Sequence, residues 1–252
     1  MKTIFLLLTM ITLSTSFSQN NYEYGNVIYG VRSNIEKALS VENIEKDISS
    51  LNIKERDAVK KLLFNSSKSE NLDFELNFSP NFAHYHFIDK MNNDVKSFNL
   101  VNIASKANGE YFYDIKNKFT VNIKDHKGQT FFVKNSYDNI EWKLLNETKK
   151  IGDFICYKAI GIQNYYFYRS NKNKKFEIVA WYTSNLPIPI GPNGIGGLPG
   201  LILELELKSM TYFIKSISLK KNKIKMPSEK KYISISEYNK IKRELYLNRA
   251  NK

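Results

Sequence analysis

Cysteine is nearly absent from this 252-residue chain: Cys156 stands alone, which rules out a disulfide within the chain. Stability must then come from packing. Histidine is almost as scarce, at three residues, so a site built from several imidazoles has few residues to draw on. Of the 38 basic residues only Arg32, Arg56, Arg169, Arg243 and Arg249 are arginine, the residue whose planar fork grips phosphate. The formal charge of +13 therefore rests on scattered lysines, a pattern that argues against nucleic acid as partner and leaves only weak attraction to an anionic surface. No apolar run reaches the eighteen or so residues of a membrane-crossing helix, so an integral membrane protein is not expected. Several familiar catalytic signatures are missing too. There is no G-x-S-x-G elbow, no H-E-x-x-H, no G-x-G-x-x-G and no cysteine beside a base.

The first residues do carry a signal. Lys2, an apolar stretch from Ile4 to Leu13, and the small polar residues ending in Ser16-Phe17-Ser18 form a secretory signal peptide over residues 1–18. Cleavage before Gln19 removes one lysine and leaves 37 basic against 25 acidic residues. No cysteine lies near the cut, so a lipidated N-terminus is not expected. The chain should be exported to the periplasm, cell envelope or exterior, with residues 19–252 forming one β-rich domain.

Alternation dominates that domain. After a strand in GNVIYGV and a capped amphipathic helix over Ile53–Phe64, the chain changes period at LDFELNF, where Leu72, Phe74, Leu76 and Phe78 oppose Asp73, Glu75 and Asn77. FAHYHFI, EYFYDI, KFTVNI, TFFVK, IEWKLL, FICYKAIGI, YYFYR, KFEIVAWYT, GLILELEL and TYFIKSISL continue the pattern, with turn residues in DHKG and SNKNKK. Strands at this spacing with no long helix between them predict a mainly β fold: one antiparallel, curved sheet, an open or half barrel. At the C-terminus, Ser234 and Glu237 make a capping box ahead of a stripe of Tyr238, Ile241, Leu245 and Leu247.

Glycine and proline, 11 and 6 in all, concentrate in GPNGIGGLPGLILELEL, Gly191–Leu207. A phosphate cradle would need Gly-Lys-[Ser/Thr] and a helix; here a leucine strand follows, so the stretch reads as a shaped corner. Leu198, Leu201 and Leu203 are expected in the core, Pro199 fixes the turn, and Gly197 or Gly200 takes a position closed to a Cβ. GGLPGLI, with AWYT (Trp181 and Tyr182 among it) and IPIGP (with Pro192) before it, resembles the GLPGLI family of exported Bacteroidota proteins. FELNF and the tryptophan strand leading into CYKA add to the resemblance, which runs from about Val27 to Tyr246. It implies an exported protein and brings no activity with it. The motif residues Trp181, Tyr182, Pro192, Gly196, Gly197, Leu198, Pro199, Gly200, Leu201 and Ile202 are the candidate binding or structural set.

Other chemistry is sparse. His84 and His86, at i and i+2 on one strand, share a face and are the metal candidates, but with no third ligand in sequence the expectation is two solvent-facing histidines. Cys156 is expected buried and inert. Asp153, Glu204 and Glu206 could make an acid/base pair, although the two glutamates alternate with Leu203, Leu205 and Leu207 on an outward face. No cofactor is implied and no catalytic residue is assigned. The leading reading is a non-catalytic envelope protein binding an apolar ligand or an envelope protein partner, with the long loop edging a groove; a curved sheet wrapped partly around a helix, as in the outer-membrane lipoprotein carrier architecture, would meet this description by fold-level analogy. The alternatives are a hydrolase-type enzyme using carboxylates near the 184–200 loop, and a structural accessory of a transport or secretion assembly.

Overall fold

The computed structural model describes residues 24–33, 52–54, 57, 72–88, 109–126, 128–168, 170–207, 210–220, 223–228 and 231–250. The signal peptide expected over residues 1–18 and most of the helix expected over Ile53–Phe64 lie outside them. The described residues form one twelve-stranded sheet. In chain order its strands are β1 (Gly25–Ser33), β2 (Asp73–Phe78), β3 (Phe82–Phe87), β4 (Glu110–Asp114), β5 (Phe119–His126) and β6 (Gln129–Ser136). Then come β7 (Glu141–Ile151), β8 (Phe154–Phe167), β9 (Lys172–Thr183), β10 (Leu201–Leu207), β11 (Met210–Ser218) and β12 (Ile233–Ser234), followed by helix α1 (Ile235–Ala250).

Two antiparallel meanders, β2 to β6 and β7 to β11, are joined by β1, which pairs with β2 on one side and β11 on the other. Only β12 runs parallel, along the free side of β6. The FICYKAIGI and YYFYR runs are one fourteen-residue strand, because the hairpin to β9 turns late, at Asn171 with its positive φ of 55°. His126 ends β5 opposite Gln129 and so belongs to a strand, where sequence suggested a turn.

The sheet order itself demands curvature. β6 and β7 stand ten positions apart, roughly 48 Å in a flat sheet at ~4.8 Å per step. Yet only residues 137–140 connect them, a reach of at most ~18 Å. The sheet therefore curls until its two ends face each other across a seam that no ladder closes among the described residues. Helix α1 spans part of this opening. Tyr238 packs edge-on against Phe131 of β6, while Arg243 donates to the Tyr168 carbonyl beyond the far end of β8 at 2.7 Å. The capping box forms as the sequence indicates: Ser234 N–H donates to Glu237 at 2.7 Å and Glu237 N–H to Ser234 Oγ at 3.1 Å. Tyr238 is buried and Ile241 packs beside it, but Leu247 is exposed and takes no part in the stripe.

Alternation sorts the two faces. Val31, Tyr29, Phe74, Leu76, Tyr85, Tyr113, Ile178, Ala180, Leu205 and Tyr212 point into the curl and form the main core. The stacked Phe74 and Tyr85 rings, 5.3 Å apart at 2°, lie near its middle. The junction with α1 is less comfortable. There Lys124 sits beneath the Tyr238 ring, and its ammonium is pushed down to about 8, first by burial and then by Lys242 nearby. A lysine held below its ordinary 10.5 costs stability wherever it is protonated in both states, and stability is regained between about pH 8 and 10.5, where the unfolded chain binds the extra proton. Lys124→Met is accordingly expected to raise stability at pH 7 by ~1–3 kcal/mol and to remove this part of the rise with pH. Thermal unfolding of both proteins at pH 7 and pH 10 measures the difference; an unchanged or lower Tm at pH 7 would contradict it.

Candidate functional site

The 184–200 loop does not edge a groove. It folds inward and fills the curl, burying Leu186, Ile188, Ile190, Ile195 and Leu198 against the sheet. Four prolines and five glycines leave the loop few ladder donors, so it satisfies its backbone by short internal bonds. Gly197 N–H reaches the Pro189 carbonyl at 2.9 Å, Leu201 N–H reaches Leu186 at 2.9 Å, and Ile202 N–H reaches Ile190 at 3.0 Å. Three aromatic side chains from distant strands then hold it. Tyr29 Oη donates to the Ile202 carbonyl at 2.6 Å, Tyr113 Oη to that of Gly191 at 2.5 Å, and Trp142 Nε1 to that of Gly196 at 3.0 Å. Burial raises the Tyr29 and Tyr113 hydroxyls far above the ordinary tyrosine range, so they stay protonated donors.

Among the motif residues, Pro192, Gly196, Leu198, Gly200, Leu201 and Ile202 are buried, whereas Gly197 and Pro199 lie at the surface. The two tight positions differ in kind. Gly197 has a φ of +88°, but Gly200 does not need a left-handed backbone. A Cβ at Gly200 would instead overlap the Thr183 carbonyl, 2.6 Å from its carbon, because the loop closes there directly onto the end of β9. Asn193, only 6% exposed and also left-handed at φ 57°, buries both polar atoms of its side chain without a partner among the described residues.

Trp181 and Tyr182 part company. Tyr182 is buried on the inner face, while Trp181 lies on the outer one under the ammonium groups of Lys149 and Lys158, 4.3 and 5.8 Å from its ring. Beside it, Glu204 departs from the solvated role expected of it. It is bonded to Lys149 at 2.8 Å and lies 3.6 Å from Arg32. A bulge in β10 at Leu203 interrupts the alternation, so Leu201, Ile202 and Leu203 are all buried in succession. Cys156 is buried and its thiol is pushed up to about 11 by burial, which keeps it from acting as a thiolate.

His84 and His86 also differ from the expectation of solvent-facing rings. They stack at 4.5 Å and are only 23% and 31% exposed, and His84 stacks in turn on Phe112 at 4.2 Å. His84 Nε2 bonds Glu110, and His86 Nε2 lies 3.4 Å from Glu75. Burial, and next the neighbouring His86, hold His84 below the ordinary histidine value. Among the described residues no three His, Cys, Asp or Glu side chains converge as a metal site. Sequence reading missed Glu75 and Glu110 because they lie on flanking strands, visible only once register is known. Tyr29, Tyr113 and Trp142 were missed as loop tethers for the same reason, although their inward phase was there in the alternation.

A strongly curled, open antiparallel sheet with its own loop as filling is the class of structure these features define. A family model described as a protein of unknown function (Porph_ging) matches residues 166–204, the stretch from the end of β8 through the loop into β10. That partial match is consistent with the resemblance carried by AWYT and GGLPGLI. No curated protein matches the chain. Among solved structures it is similar to PNGF-II in a C2 crystal, with TM-score 0.49 and 15% identity over 86% of this chain and 32% of the other. The same protein in a P21 crystal gives TM-score 0.49 and 14% identity over 87% and 33%. The chain thus spans about a third of the length of those structures. Among the described residues no helix is long and apolar enough to cross a membrane.

Proposed function

We propose that this is an exported, non-catalytic binding protein whose target is an envelope protein, engaged along the outer side of β7. The observation that carries this reading is the seam. Among the described residues, β7 is an eleven-residue terminal strand with a ladder partner only on its β8 side. A terminal strand offers a row of backbone donors and acceptors to an extended segment of another chain. Next to it on the loop-bearing face, Leu144, Ile155 and Tyr157 are 52%, 57% and 39% exposed, enough apolar surface to seat alternate side chains of an added strand. The loop packed into the curl favours a protein partner over an apolar ligand, since it already occupies the surface where such a ligand would lie. Glu204, tied to Lys149 and Arg32 on the outer face, gives the carboxylate-enzyme alternative no support.

A photo-crosslinking residue at position 144 in the full-length gene, expressed in the native host, tests the proposal. One dominant protein adduct is expected, and it should be lost when Ile155→Lys is added. A co-purifying lipid or other apolar molecule in native mass spectrometry, with no protein adduct, would restore the apolar-ligand reading in its place.

A further inference from the structure

The hairpin between β8 and β9 outruns its neighbours. Among the described residues β7 pairs with β8 only as far as Ile162 and β10 pairs with β9 only as far as Ile178. Five further cross-strand pairs, from Gln163–Phe176 to Phe167–Lys172, therefore make a two-stranded ribbon ~17 Å long with no third strand beside it. Its composition is one-sided. Residues 163–176, QNYYFYRSNKNKKF, hold five aromatic and four basic side chains and no carboxylate. The next acid, Glu177, stands at the ribbon's base and by alternation on the face away from Phe176. Tyr165, Phe167 and Phe176 share the other face, with ring centroids 4.9 to 6.2 Å apart, and the Lys174 ammonium lies 5.4 Å from the Phe167 ring. Lys172 and Lys175 are exposed. Helix α1 adjoins the tip: Tyr246 packs edge-on to Tyr168, and the Lys242 ammonium lies 4.3 Å from the Tyr168 ring. Tyr165, Tyr246 and Leu247 are 37%, 36% and 41% exposed, and over residues 240–247 Glu244 is the one acid against Lys240, Lys242 and Arg243.

We propose that this ribbon docks the protein peripherally on an anionic bilayer surface. The lysines lie among the lipid headgroups, and the rings of Tyr165, Phe167 and Tyr246 lie where the headgroups meet the acyl chains. Lysine is drawn to such a surface by the negative potential of its headgroups, worth about fivefold in affinity per residue near the surface. A bilayer fits better than an acidic protein because the ribbon stands clear of the rest of the sheet, as contact with a plane requires. Tyrosine, apolar in its ring and polar at its tip, also suits a boundary that is wet on one side only. The ribbon begins where the pairing of β7 with β8 ends and lies away from Ile155 and Tyr157, so this docking and the β7 edge can each fail without the other.

Sedimentation of the full chain with vesicles tests the proposal. Binding to phosphatidylcholine vesicles carrying phosphatidylglycerol is expected, with pure phosphatidylcholine weaker by about tenfold or more, and with the difference lost in high salt. Lys172→Gln, Lys174→Gln and Lys175→Gln together should weaken binding to the anionic vesicles by about tenfold or more. The control removes the same charge elsewhere: Lys116, Lys118 and Lys220, exposed at the opposite end of the strands, are changed to Gln and should alter binding less than threefold. Equal weakening by the two triple variants would show attraction by net charge alone and overturn the proposal. So would equal binding to neutral and anionic vesicles, or no vesicle binding at all. A photo-crosslinker at position 175 that captures a protein, in a chain that vesicles do not retain, overturns it in favour of an acidic protein partner.

Discussion

Gly200→Val should leave little folded protein at ambient temperature. A side chain there has nowhere to go: its first carbon would overlap the backbone carbonyl of Thr183 and come within 3.1 Å of Ser184 Cα, and neither is a flexible tip that can swing aside. Relief requires separating the end of β9 from the start of β10, which breaks the Leu201–Thr183 register and pulls on the bond from Leu201 N–H to Leu186. A loss of about 4 kcal/mol or more is expected, in the range reserved for overpacking and backbone strain. Gly197→Ala is the control. Its φ of +88° disfavours a side chain, but its nearest neighbour would be 3.4 Å away, so ~1–2 kcal/mol is expected. Circular dichroism melts of the two variants decide the matter; equal and small shifts would mean the corner is pliable.

Leu201→Ala is the second large effect. Leu201 is fully buried one residue past that corner, within the cluster that joins the loop to the sheet. Truncation should cost ~2–5 kcal/mol, toward the upper end if the neighbours cannot collapse. Here they have little freedom. The Tyr29 and Tyr113 hydroxyls fix the loop at Ile202 and Gly191, on either side of the missing side chain. Denaturant unfolding should show a lowered midpoint at unchanged slope, as expected when stability falls without a change in the surface exposed. A loss below 1 kcal/mol would show that the loop repacks as freely as a surface segment.

Both expectations were partly legible in the sequence, and the boundary of legibility is physical. Alternation in LDFELNF and FAHYHFI is a local property with a period of two, so strand positions and inward phase could be read directly. The expected burial of Leu201 and Leu203 followed from the same signal, and that of Leu198 from the reading of the glycine-proline stretch as a shaped corner. The bulge at Leu203 could not, because an extra residue in one strand is defined only against its partner. The His84–Glu110 pair joins residues on different strands, and the Trp142 bond to Gly196 joins residues 54 apart in sequence. Such contacts depend on strand order. That order could not be inferred, since nothing local in GNVIYGV says that it belongs in the middle of the sheet.

β1 pairs Asn26 with Ser218 across nearly the whole chain. A polypeptide delivered amino-terminus first, by a ribosome or through a membrane pore, thus presents the central strand long before half of its neighbours exist. β2 to β6 can zip together early, but β1 must wait with one side bare until β11 arrives. Distant pairing of this kind slows folding and lengthens the time an unsatisfied edge is open to aggregation. For this protein the vulnerable stage lies in the interval before residue 218 emerges, so a chain truncated shortly before β11 should be far more prone to capture by chaperones than its stable finished form.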